Sequence, residues 1–411
     1  MANVLLTISD ITKEALAVFH EECQLIKSCT RKYEDRFNRT GAAIGSSVDI
    51  RKPVRYNVTN SADITGAVQS SEESVVTLSV NKRKVVGMDF SSEDLTLHID
   101  DFSARFIRPA AARLAREVDL EIAKEILING QRVARATITN DVSFADCTAT
   151  NAILAQQFAD PDRRIYLDAD NNASVVNANS GLFQSAELIS EQYEKGVMQT
   201  SAGLKFVNSE SIPLITFSGT ITAADVVLTA VSGATSIALD GITGTATEIK
   251  KGQAFSIAGV NMIDPETLEA KPKAYTFIAS ADATISAGGA TVSVANPIVA
   301  NGAGVNLSTV NVSALPATNA VVTFLEGAAT AGDSAYVIQA LAKDSVAFAS
   351  VDLDLPGVSK MEGRENYDGV SMRILKVYDG QTDIGIYRLD LLFGVKVLRP
   401  EFVTSMIGKV V

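Results

Sequence analysis

The side chains that could carry chemistry are few, and their spacing decides against most reactions. A nucleophilic triad needs an imidazole within hydrogen-bond reach of a nucleophile, which a base must activate. The chain offers two histidines, His20 and His98, and neither stands near a G-x-S-x-G turn. Both read as surface or packing residues. His20, Cys23 and Cys29 are close in sequence, yet three ligands on a short helix and its exit do not make a zinc spacing, so they read as a helix face with buried thiols. Asp168, Asp170 and Asn172 open like a calcium loop, with oxygens at alternate positions. The pattern then fails, because Ala173 replaces the turn glycine and Asn179 the bidentate acid, and the stretch reads as an ordinary loop. The run from Gly302 to Gly304 lacks the third glycine of a dinucleotide site. No catalytic, cofactor-binding or metal-ligating residue is expected, and the chain is not read as an enzyme.

What remains is charge. Arg105, Arg108, Arg113 and Arg116 load the first half of a long helical stretch, whereas Glu117, Asp119, Glu121 and Glu125 load the second. That order opposes the helix macrodipole, which favours acids first. The charges either pair across a subunit interface or form a solvated face. Lys82, Arg83 and Lys84 interrupt a long strand-like segment, where charge restrains edge-to-edge aggregation. Alternatively they form an intersubunit ion-pair site. Lys82, Arg83, Lys84, Arg105, Arg108, Arg113, Arg116, Glu117 and Glu121 are thus the candidate intersubunit contacts.

The elements that position these residues follow from periodicity. Ile11, Ala15, Val18, Phe19, Cys23 and Ile26 repeat at helical spacing between Asp10 and Ile26, predicting a short amphipathic helix that needs a partner surface. The polar, basic stretch after it, with Gly and Ser punctuation, predicts an extended arm. Val48, Ile50, Val54, Tyr56 and Val58 fall on even positions, as do Val76, Leu78, Val80, Val86, Met88 and Phe90, predicting two strands of a long hairpin with a loose polar tip. A lone hairpin is marginal in water, so a neighbouring subunit is expected to support it. Ile107, Ala111, Leu114, Val118, Ile122 and Ile126 form one stripe, predicting a helix over Ser103–Leu127, with Pro109 in its first turn or at a kink.

From Phe217 to Asp333 the composition turns to Ala, Thr, Ser, Gly and Val, with no arginine between Arg164 and Arg364. Short β-branched runs there predict a small all-β barrel or sandwich inserted in a larger fold. The stretch AYVIQALAKDSVAFA, from Ala335, looks helical, and SMRILKVY with IGIYRLDLLFGVKVL predicts a hairpin turning at Asp379-Gly380. Mixed helices and strands without a βαβ repeat place the chain in the α+β class.

Composition bounds the function. The 411 residues can bury a sizeable core, and 46% hydrophobic with 20% charged residues is ordinary globular usage. A formal net charge of -12 argues against a surface built to grip phosphate backbones. Three cysteines form no disulfide framework, which suits a reducing cytosol. Neither a signal peptide nor a membrane span is expected.

Three stretches together resemble the major coat proteins of short-tailed phages whose capsomers carry an inserted domain. They are Leu78–Asp119; Ser201–Thr216 with Glu248–Val260; and Asp344–Pro356 with Tyr387–Phe402. The resemblance implies the tailed-phage and herpesvirus major capsid fold. Its parts would be an N-terminal arm (1–45), an extended loop (46–92) and a peripheral domain with a spine helix (93–150). An axial domain would begin at 151–216 and, after an inserted all-β domain (217–333), resume with the C-terminal peripheral strands (334–411). It implies pentamers and hexamers of the chain itself, a scaffolding protein and a portal protein. The shell would enclose double-stranded DNA without sequence-specific binding, assemble in the host bacterial cytoplasm and involve no membrane. The rival readings are an encapsulin-like nanocompartment shell and, from another class, a phage fibre or surface adhesin.

Overall fold

The computed structural model describes residues 8–32, 47–56, 58, 62, 73–91, 103–179, 200–302, 305–355, 362–381 and 384–410. His98, Ala303 and Gly304, most of the expected arm after Lys32 and most of the hairpin tip lie outside them. Helices and strands are mixed, as the α+β class requires. The chain divides into two units.

The first unit comprises Met1–Asp49, Thr77–Ala123 and Val346–Leu398. Its five-stranded antiparallel sheet centres on the long strand Ile384–Val397. That strand pairs on one side with Val346–Ser350 and Val370–Asp379, and Lys82–Ser91 pairs with its residues 384–393. Glu362–Tyr367 pairs with Val370–Asp379. Met372, Ile374, Leu389, Leu391 and Phe393 alternate onto the sheet's buried face, and Phe393 stacks on Phe348. Helix α1 (Ile8–Glu22) packs against Glu362–Tyr367, so its apolar stripe finds its partner within the chain. Helix α2 (Arg108–Leu127) follows a π-helical turn at Ser103–Ile107 and carries Pro109 in its first turn, where a missing N–H costs nothing. Ala111, Leu114, Val118 and Ile122 are buried.

The expected hairpin is met where Ser47–Arg51 pairs with Val75–Ser79 and is corrected beyond Ser79. Val76–Phe90 is two strands: Val75–Ser79 pairs with Ser47–Arg51, whereas Lys82–Ser91 leaves for Ile384–Phe393. Next to this break a Cβ on Gly394 would lie 2.3 Å from the carbonyl oxygen of Ser79, so a glycine there lets the two backbones pass.

The second unit comprises Ile50–Val76, Lys124–Ser345 and Arg399–Val411. A seven-stranded mixed sheet has Val403–Ile407, Ser334–Ala342, Arg163–Leu167 and Leu204–Asn208 at its centre. Helix α3 (Phe144–Gln156) is started by a capping box between Ser143 and Asp146. It buries Cys147, Ile153 and Leu154 in the core that also holds Ile165, Ile338 and Met406. Two expectations fail here. AYVIQALAKDSVAFA is not helical but forms the strands Ser334–Ala342 and Val346–Ser350, the latter in the first unit. Both are buried on both faces, and such a strand reads as a continuous apolar run that periodicity cannot tell from a helix. The Asp168 stretch is not a loop: Asp168 accepts the Asn171 N–H at 3.2 Å and opens helix α4 (Ala169–Asn179).

Between Ile221 and Phe324 six strands form one antiparallel sheet. In spatial order they are Ala270–Ile278, Ala254–Ile263, Val321–Phe324, Ile221–Val226, Ala234–Gly244 and Ala290–Ile298. A bridge between Ala279 and Val294 joins the two outer strands, so the sheet closes on itself there. Ile237, Leu239, Phe255, Ile257, Phe277 and Val292 fill the interior.

Candidate subunit-contact surface and its ion pairs

Of the candidate contact residues, all but Arg105 have an ion partner among the described residues of the first unit. Lys82 lies 3.1 Å from Glu121, and Lys84 lies 3.4 Å from Glu117 and 3.2 Å from Glu121. Arg113 reaches Glu117 one helical turn on, at 2.6 Å. Arg108 pairs with Glu14 at 3.0 Å and Arg116 with Glu22 at 3.7 Å, both acids standing on α1. The unfavourable charge order of α2 is thereby matched by cations from the neighbouring strand and acids from the neighbouring helix. Arg105 is exposed.

Arg83 belongs to a different arrangement. Its guanidinium lies 2.7 Å from Asp390, whose side chain is 0% exposed. Arg388 donates through Nε to the other carboxylate oxygen at 2.7 Å, and Arg373 donates to the same carboxylate. Burial pushes the Asp390 carboxyl up, but the hydrogen bonds from Arg388, Arg373 and Arg83 outweigh it and hold the group below the usual carboxylate range. One buried acid therefore anchors three arginines, two of them, Arg83 and Arg388, still 42% exposed.

Two further buried groups set the framework of each unit. Asp119 on α2 accepts the backbone N–H of Gln24 at 2.7 Å and of Leu25 at 3.3 Å, closing the turn after α1. Burial pushes its carboxyl up to about 6, against the backbone hydrogen bonds that favour the charged form. In the second unit Arg132 donates to Glu326 at 3.0 Å, to Ser405 at 2.8 Å and to the Gly252 carbonyl at 3.0 Å. Glu326 in turn accepts the Ala254 N–H at 2.9 Å. The seven-stranded sheet and the six-stranded sheet are thus tied by one buried polar network.

Of these four anchors, the sequence marks Asp119 only as one of the acids of α2, and it does not single out Asp390, Arg132 or Glu326. Asp390 carries a signal, being an acid within the apolar run YRLDLLFGV. Glu326 and Arg132 meet across 194 positions and carry none.

Among the described residues the thiols and His20 are engaged in packing and backbone contacts. Cys23, Cys29 and Cys147 are free and buried. Burial raises all three thiols, Cys147 to about 12, which leaves them poor nucleophiles. His20 binds the Tyr367 carbonyl at 3.0 Å and packs edge-on to its ring. Among the described residues no group of acids, histidines and cysteines could hold a metal ion, and no helix is long and apolar enough to cross a membrane.

The chain is an α+β protein whose buried charges tie strands and helices together. It belongs to the P22 coat protein family, whose model, described as "P22 coat protein - gene protein 5", matches residues 1–408. The chain is a capsid shell protein of a bacteriophage virion. No curated protein matches the sequence. Among solved structures it is similar to a chain of Mycobacterium phage Che8, at 12% identity and a TM-score of 0.48, covering 93% of this chain and 90% of that one. It is also similar to the acid-stable capsid of Helicobacter pylori bacteriophage KHP30, at 9% identity and 0.46, covering 94% and 91%. The capsid of Ralstonia phage GP4 matches at 7% identity and 0.45, covering 92% and 90%. At these values the likenesses add nothing to the family assignment.

Proposed function

We propose that this chain is the major capsid protein of a short-tailed bacteriophage, assembling as pentamers and hexamers into an icosahedral shell around double-stranded DNA. The observation that carries the reading is the family match across 1–408. In this reading residues 1–45 are the arm, 46–92 the extended loop, 93–150 the peripheral domain and 217–333 the inserted domain. The axial domain and C-terminal strands take 151–216 and 334–411.

A net charge of -12 supports a container whose wall does not hold its DNA tightly, because few phosphates would be neutralised. The two-stranded pair of Ser47–Arg51 with Val75–Ser79, flanked by no further strand among the described residues, supports a subunit that buries surface against neighbours. Assembly begins as a precursor shell guided by a scaffolding protein, with a portal protein at one vertex, in the host bacterial cytoplasm. The shell then expands as DNA enters. Expression with and without the scaffolding protein of the same operon, followed by particle sizing, tests this order of events. Uniform closed shells only in its presence are expected; uniform shells in its absence contradict the scaffolded route.

A further inference from the structure

Strand alternation brings Arg83, Arg373, Arg388 and Asp390 onto one face of the first unit's sheet, opposite the face that holds Leu389, Leu391 and Phe393. On this face Val377 stands directly across from Ile386, and both are exposed, as is Val85. Gly87 stands directly opposite Arg388 and leaves open space above it, since a Cβ there would meet nothing within 4 Å. Asp89 lies on the same face, opposite Ile386. Two half-exposed guanidinium forks are thus held by a shared buried carboxylate, and much of the rotamer entropy that such side chains lose on binding is already lost. Arg373 is nine-tenths buried and its Nε has no hydrogen-bond partner, so the donors of this cluster exceed the acceptors that the chain supplies.

The six-stranded sheet carries the opposite imbalance. Asp225 and Asp240 are paired directly across adjacent strands, and both are exposed. Among the described residues no cation lies within ion-pair distance of either, although like charges in such a position repel. Gly241, with φ +60, brings the chain round beside them, a Cβ there lying 3.5 Å from an Asp225 carboxylate oxygen. Val321, paired with Asp225 on its other side, is exposed and apolar.

We infer that Arg83 and Arg388, anchored on Asp390, form a contact site for the carboxylate pair Asp225–Asp240 of a second copy of this chain. This rests on the shell-forming reading and names one of its contacts. Arginine forks fit carboxylates and phosphates alike, but the exposed Val85, Val377 and Ile386 beside them favour a protein surface over a phosphate backbone. The contact is heterologous, since the two patches differ, and such contacts propagate rings and lattices.

The test uses the full chain and reads the protein concentration at which particles form, by sedimentation. Asp225→Asn with Asp240→Asn removes a repulsion and leaves the monomer at least as stable, yet raises the assembly concentration about tenfold, as losing a charge-assisted contact should. Arg83→Gln with Arg388→Gln does the same, and Arg83→Lys with Arg388→Lys, which keeps charge but loses the fork, falls between. Should the glutamine variant fail to fold, the asparagine variant alone decides. Either neutral variant folding and assembling like the parent overturns the inference, as does an arginine variant that assembles normally and only loses DNA. A parent chain that never assembles contradicts the shell-forming reading instead.

Discussion

The guanidinium of Arg132 stands 3.0 Å from the carboxylate of Glu326, and the two side chains are 0% and 1% exposed. Burial pushes Glu326 up and Arg132 down, each countered by the other's charge. Removing one partner strands an uncompensated charge, which costs about 3–5 kcal/mol, whereas replacing both by apolar residues of similar volume costs far less. Glu326→Leu alone is therefore expected to destabilise strongly, and Arg132→Met with Glu326→Leu to recover most of the loss. Urea unfolding of the unassembled chain measures both.

Asp119 gives a pH dependence of definite sign. Its folded pKa of about 6 lies above the value of about 3.9 for an unfolded aspartate, so the folded chain binds more protons between these limits. Its contribution to stability is fully present below about pH 4 and is lost as pH rises through about 6. The loss is on the order of 3 kcal/mol. Thermal melts of the parent minus those of Asp119→Asn isolate this difference, which should move in the parent's favour as pH falls from neutral to pH 4.

Asp390 has the opposite sign. Its carboxyl is held low, so its stabilising effect is present above the unfolded value of about 3.9 and lost as pH falls through the lower folded pKa. Asp390→Asn leaves Arg83, Arg373 and Arg388 facing one another without their shared anion. A loss of about 3 kcal/mol at neutral pH is expected, measured as a shift in unfolding midpoint that shrinks in strong acid.

Gly394→Ala places a methyl 2.3 Å from the carbonyl oxygen of Ser79, where backbone must move. A cost of about 1–3 kcal/mol is expected from such overpacking. Hydrogen exchange should report it first in Val75–Ser79 and Val346–Ser350, the strand that pairs with Gly394 through Ala349.

Local periodicity was legible wherever one face of an element is buried and the other wet. The stripe of α2 follows from its apolar spacing, and the hairpin at Asp379-Gly380 from two β-rich runs either side of a short turn. It failed where burial is two-sided, as at Val337 to Leu341, and where a polar side chain serves the backbone, as Asp168 does for α4. The strand Val403–Ile407 was missed, since its five buried residues alternate nothing. Pairing was legible only across short turns. That Lys82–Ser91 joins a strand some 300 positions away is a tertiary fact. For the same reason the charges of α2 could be recognised as needing partners, but Glu14 and Glu22 could not be assigned to Arg108 and Arg116.

The most direct measurement is negative-stain electron microscopy, with sedimentation, of the chain expressed with and without the rest of its phage operon. Closed polyhedral particles, with the chain as their principal component, are the expected result. A small monodisperse species under both conditions would contradict the account.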